Sequence, residues 1–123
     1  MTITDSKQLC ELVDLIHDHW FNAEKVVFDP ETKSVVLLVE PSHSALIQGS
    51  SCGLSVVIMN VEQLTVKDTE KVRDYDINEI TFDPATRTLV LTGGIPIEII
   101  FRVSALEIHV SSESPQSCPN THG

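Results

Sequence analysis

Phe28-Asp29-Pro30-Glu31-Thr32-Lys33-Ser34-Val35-Val36-Leu37 returns later in the chain as Phe82-Asp83-Pro84-Ala85-Thr86-Arg87-Thr88-Leu89-Val90-Leu91. Six of the ten positions are identical, and only Glu31/Ala85 changes character. Both copies read as a strand, a tight turn and a returning strand. The Asp carboxylate accepts backbone N–H groups two residues on, and the Pro after it presets φ for a type I turn. A loop over 30–33 sets Asp29 opposite Ser34, Phe28 opposite Val35 and Val26 opposite Leu37. The large apolar side chains then share one face, which a slip of one residue would scatter. The second copy places Phe82 opposite Leu89 and Ile80 opposite Leu91 by the same rule. Lys33 and Arg87 hold the end of the loop that usually carries a left-handed Gly or Asn.

The repeat extends outward. Val57-Ile58-Met59-Asn60-Val61-Glu62-Gln63-Leu64-Thr65-Val66 resembles Ile99-Ile100-Phe101-Arg102-Val103-Ser104-Ala105-Leu106-Glu107-Ile108 in its apolar pattern. Each half reads as a hairpin, a long apolar strand and a short final strand, over 23–68 and 77–110. Internal duplication is the preferred reading, against two hairpins converging on one turn chemistry. The first half carries a loop at 41–53 where the second has only Thr92-Gly93-Gly94.

One helix precedes the strands. Asp5 or Ser6 can cap it, and Leu9, Leu12, Val13, Ile16 and Trp20 form an apolar stripe at helical spacing. The expected helix covers 6–21 and lies across a sheet face. Val27, Val36 and Leu38 are apolar on the side opposite Phe28, so that side needs a cover. Strands are expected near 23–29, 34–40, 54–61, 63–67, 78–83, 88–92, 96–103 and 105–110. The fold class is α+β, mostly β: an N-terminal helix on an antiparallel meander of about eight strands. A partly open barrel and a two-layer sandwich both satisfy this pattern. Residues 68–77, with Tyr75 among charges, bridge the halves. A single domain over 1–110 is expected, with 111–123 as a disordered tail.

Composition narrows the function classes. A net charge of −10, with eight scattered Lys and Arg among 123 residues, argues against nucleic acid and anionic membrane surfaces. No apolar run approaches the roughly 20 residues needed to cross a bilayer. The opening Met-Thr-Ile-Thr-Asp-Ser lacks a secretory pattern, and Cys10, Cys52 and Cys118 are odd in number and widely spaced. A reducing, cytoplasmic location is the expectation.

Several constellations resemble chemistry. Gly49-Ser50-Ser51-Cys52-Gly53 matches G-x-S-x-G, but a strand follows it where the hydrolase elbow needs a helix. His43 shares that loop with Cys52, yet nothing brings the two together. His17-Asp18-His19 points its imidazoles to different sides of a helix, which argues against a shared metal. Asp29 and Asp83 are explained by their turns. No phosphate loop, CxxC pair or dinucleotide fingerprint is present, so neither catalytic residues nor cofactors are assigned. The binding candidates are Ser42, His43, Gln48, Ser51 and Cys52 in the 41–53 loop, because loops on rigid sheets often carry function.

The leading expectation is therefore a non-catalytic module that binds a protein or a small ligand, with homo-oligomers open to it. The first alternative is an acidic, immunity-type inhibitor masking a basic protein. It requires one contiguous carboxylate face, for which Glu62, Asp68, Glu70, Asp74, Asp76 and Glu79 are the candidates. The second is a small hydrolase or thiol enzyme using the 41–53 loop.

Overall fold

The computed structural model describes residues 1–40 and 53–112. Asp5 caps α1 (Ser6–Ile16), its carboxylate accepting the Gln8 N–H at 2.8 Å. Leu9, Leu12 and Ile16 are buried, with Val13 packed beside them. The helix stops at Ile16 rather than at 21. Asp18 turns left-handed at φ 67°, its N–H donates to the Ile77 carbonyl, and the Ile77 N–H donates to the His19 carbonyl. Sheet pairing thus captures the chain, and Trp20 and Phe21 enter β2 (Trp20–Asn22). The helical spacing of Trp20 from Ile16 was coincidental.

The expected strand over 23–29 is shortened to its last three residues. A 3-10 turn (Ala23–Lys25) separates β2 from β3 (Val27–Asp29), and both pair with β4 (Ser34–Glu40). The remaining strands are β5 (Leu54–Ile58), β6 (Val61–Lys67), β7 (Asp74–Asp76), β8 (Glu79–Asp83), β9 (Thr88–Thr92), β10 (Glu98–Val103) and β11 (Ile108–Ser112). With β1 (Thr2–Ile3) they number eleven among the described residues, since β1, β2 and β7 were not foreseen. The fold class holds: one α-helix on antiparallel strands, in a seven-stranded and a four-stranded sheet.

Both hairpins adopt the expected registers. Phe28 faces Val35 and Asp29 faces Ser34; Phe82 faces Leu89 and Ile80 faces Leu91. Asp29 accepts the Glu31 N–H at 3.0 Å, and Asp83 accepts the Ala85 N–H at 2.9 Å. Lys33 (φ 53°) and Arg87 (φ 54°) are left-handed, a steric cost of about 1–2 kcal/mol each that the larger chain entropy of glycine would partly offset. Their carbonyls are used alike, accepting Val61 N–H at 2.8 Å and Val103 N–H at 3.0 Å.

Those two bonds sit where the chain changes sheets. The meander fails at these points: β6 follows β5 but pairs with β10, and β11 follows β10 but pairs with β5. The first sheet therefore contains the run β3-β4-β5-β11, and the second is β8-β9-β10-β6. Each half contributes three strands to its own sheet and a fourth to the other. The equivalence also corrects the alignment of the apolar runs. Ile58 corresponds to Phe101, through Val35 and Leu89, and Leu64 corresponds to Ile108. Setting Val57 against Ile99 was out of phase, because Val57 is half-buried on the outer face while Ile99 is fully buried. A continuous apolar run hides the pleat.

The inner faces of both sheets, with α1, form one hydrophobic cluster that includes Leu37, Ile58, Leu91 and Phe101. α1 packs against β8 and β1. Residues 68–77 do more than bridge: β7 pairs with β2, and fully buried Tyr75 stacks on Phe21 with ring centroids 6.0 Å apart. Burial, and then the hydrogen bond its hydroxyl donates to Asp68, hold the Tyr75 phenol above its ordinary pKa. Asp76 accepts the Ile95 N–H at 2.8 Å, which orders the short β9–β10 link. A Cβ on Gly93 would stand 2.6 Å from the Ile95 carbonyl oxygen and 2.7 Å from that of Asp76.

Candidate functional site

The helix does not cover the side of the first sheet opposite Phe28, contrary to expectation. Docking on β8 and β1 leaves Val27 64%, Val36 41% and Leu38 41% exposed. Pairing aligns these residues into rows. Val27, Val36, Val57 and His109 run side by side across β3, β4, β5 and β11. Leu38, Ser55 and Ser111 form the next row, and Glu40, Trp20 and Asp76 close the end. Trp20 and Val57 are half-buried. The result is an outward apolar strip on a hydrogen-bonded, rigid support.

The strip leads into a hollow of about 530 Å3 lined by Asn22, Lys25, Leu38, Glu40, Arg73 and Asp74. The 3-10 turn shapes one wall: Asn22 caps it through the Glu24 N–H at 2.9 Å, and the Ala23 N–H donates to the Arg73 carbonyl. The Arg73 guanidinium contacts the Asp74 carboxylate at 3.3 Å. Charges of both signs thus surround Leu38, the one apolar residue of the lining. Such a hollow suits a group that sets an apolar patch on Leu38 and polar atoms around it, and its lining includes no serine, threonine, cysteine or histidine.

The second sheet provides a control for what the architecture requires. Thr81, Val90, Ile100 and Thr65 occupy the places of Val27, Val36, Val57 and His109. Thr92, Glu98 and Lys67 replace Leu38, Ser55 and Ser111, with Lys67 and Glu98 ion-paired at 3.5 Å. Half-buried Val90 and Ile100 are the only aliphatic members of these two rows.

The five loop candidates, Ser42, His43, Gln48, Ser51 and Cys52, lie outside the described residues. The loop hydrolase and thiol readings draw on the same residues. His17 and His19 fall beyond the helix and are engaged separately: His17 contacts Asp18 at 3.3 Å, and the His19 ring contacts the His17 carbonyl at 3.4 Å. Asp29 and Asp83 hold their turns. The acidic ladder is dispersed. Asp68 accepts the Tyr75 hydroxyl, Asp76 binds Ile95, and Glu62 and Glu79 stand on opposite edge strands of the second sheet.

Sequence reasoning identified Val27, Val36 and Leu38 as outward and apolar but supplied them with the wrong cover. It missed a further hollow of about 530 Å3 lined by Glu62, Arg87, Arg102 and the 85–88 turn. Glu62 enters that hollow through a β-bulge, because Arg102 pairs with Gln63 and Val103 with Val61. At the β10–β11 link the Glu107 carboxyl is held below its ordinary range, chiefly by the His109 Nε2–H at 2.7 Å. Partial burial opposes that shift and the Asn60 amide adds to it. Among the described residues, no helix is long and apolar enough to cross a membrane. Comparison of the chain with protein-family models, curated proteins and solved structures finds no match.

Proposed function

We propose that this protein is a non-catalytic interaction module that docks a protein partner on the outer face of its first sheet. One observation carries the reading: Val27, Val36 and Leu38 are exposed where the duplicate half places Thr81, Val90 and Thr92. The architecture tolerates polar residues at two of these three positions, so folding alone does not demand the apolar strip. Burying an aliphatic side chain of this size is worth roughly 1.5–3 kcal/mol, which makes three of them a useful binding anchor. The neighbouring hollow, with Lys25, Arg73, Glu40 and Asp74 around Leu38, supplies polar groups that orient a partner. The acidic-inhibitor alternative draws less support, because Glu62 and Glu79 stand on opposite edge strands and Asp68 and Asp76 accept hydrogen bonds within the chain.

A photo-cross-linking residue at Val36, with its counterpart at Val90 as control, tests the proposal in the native cell. The expected result is one defined protein trapped from Val36 and not from Val90. The Val27→Thr, Leu38→Thr double variant should then weaken binding of that protein at least tenfold while its thermal unfolding stays within a few degrees. Equal trapping from both positions, or none from either, removes the reading.

A further inference from the structure

The two exchanged strands are not finished in the same way. β11 is paired on both edges, with β5 on one side and β1 on the other. Thr2 faces His109, Ile3 faces Ile108, and the Val110 N–H donates to the Met1 carbonyl at 2.9 Å. β6 holds the corresponding place in the second sheet, yet among the described residues only β10 pairs with it. Its other edge runs for seven residues, roughly 24 Å at about 3.4 Å per residue.

Burial records the difference. Ile108 and Val110 are 1% and 8% exposed. Their counterparts fare worse: Leu64 is half-buried and Val66 is 42% exposed. Ile3, fully buried, helps close the core beside β11, and nothing described does so beside β6. The devices that usually guard an edge stand at its ends, a bulge at Glu62 and the charge of Lys67, and are missing from its centre. Gln63-Leu64-Thr65-Val66 contains no proline and no charge.

We propose that β6 is the pairing edge of a homodimer, in which two copies join antiparallel through residues 61–67. The charges favour a second copy as occupant. Glu62 stands near the start of the strand and Lys67, which also contacts Glu98 of its own chain, ends it, so two-fold antiparallel pairing sets the acidic end of each strand beside the basic end of the other. Two four-stranded sheets then become one of eight, and the Leu64 and Val66 side chains of both copies meet at the seam. This surface is separate from the strip carrying the proposed partner site, so either assignment can fail without the other. A ribbon of this length is at the small end of specific interfaces, which implies reversible association.

Sedimentation of the full chain in about 0.15 M salt, where charge repulsion beyond roughly 8 Å is screened, provides the test. Protein concentrations should bracket dissociation constants from about 1 µM to about 1 mM. The expected result is a monomer–dimer equilibrium that Val66→Lys weakens at least tenfold and Val36→Lys leaves unchanged, with both variants folded by circular dichroism. Amide exchange of the unaltered protein supplies a readout that needs no variant. Alternate amides within 61–67 should gain protection as concentration rises. A monomer throughout, or a dimer lost in Val36→Lys but not in Val66→Lys, overturns the proposal. So does full protection of the β6 amides in the dilute monomer, which would mean that the chain covers its own edge.

Discussion

The two halves repeat one plan and complete it differently. Their hairpins match residue for residue in register, both turns end on a left-handed basic residue, and both carbonyls at that residue bind the N–H where the chain changes sheets. The first half then lengthens its β4–β5 link, presents valine and leucine to the outside and has its sheet edge covered by the N-terminal strand. The second half keeps a short link pinned by Asp76, presents threonine and an ion pair, and leaves β6 at the border. Features held in common report what the fold needs. Features present in one half alone mark where selection for something else can act.

That division can be tested by substituting equivalent positions in parallel. Leu37→Ala and Leu91→Ala remove corresponding, almost fully buried side chains, and each should lose about 2–5 kcal/mol in urea unfolding. Values agreeing to within about 1 kcal/mol sharpen the equivalence, and a larger gap breaks it. Gly93→Ala probes a close contact in the short β9–β10 link. Its Cβ would press on two carbonyl oxygens, so a loss of about 1–3 kcal/mol is expected from the same measurement. Lys33→Gly and Arg87→Gly relieve left-handed backbone at the two turns, and each should gain about 0.5–1 kcal/mol. A gain at one turn alone would show that the turns differ in strain.

The smallest effect concerns acid. A carboxyl whose folded pKa is depressed contributes stability above its unfolded pKa and loses that contribution as pH falls through the folded value. Glu107 is such a group because of His109, whereas the counterparts Gln63 and Thr65 hold no carboxylate. His109→Ala should therefore flatten the decline of the urea midpoint below about pH 4. An unchanged acid limb would place the sensitivity elsewhere.

Local chemistry made much of this architecture legible. The Asp-Pro turns dictate their own registers, so β4 and β9 were located to the residue, and the start of α1 was narrowed to a cap at Asp5 or Ser6, of which Asp5 serves. What escaped depends on contacts distant in sequence. The end of α1 is decided by Ile77, and β7 exists because β2 offers an edge. The exchange of β6 and β11 cannot be read from short links that look like hairpins. The same limit applied to the site. The outward apolar set was visible as a pattern, but its exposure follows from where the helix docks. The hollow at Glu62 depends on a bulge created by a partner strand more than thirty residues away.

Strand exchange also sets the order in which the molecule can be completed. β5, paired with β4 on one side, waits for Ile108 to emerge before its other edge is covered, and β6 waits for Phe101. The first half therefore leaves the ribosome with strand edges still open on β5 and β6, and sheet closure is deferred until β10 and β11 have been translated. Contacts of such long range make for slow folding and prolong exposure to other nascent polypeptides.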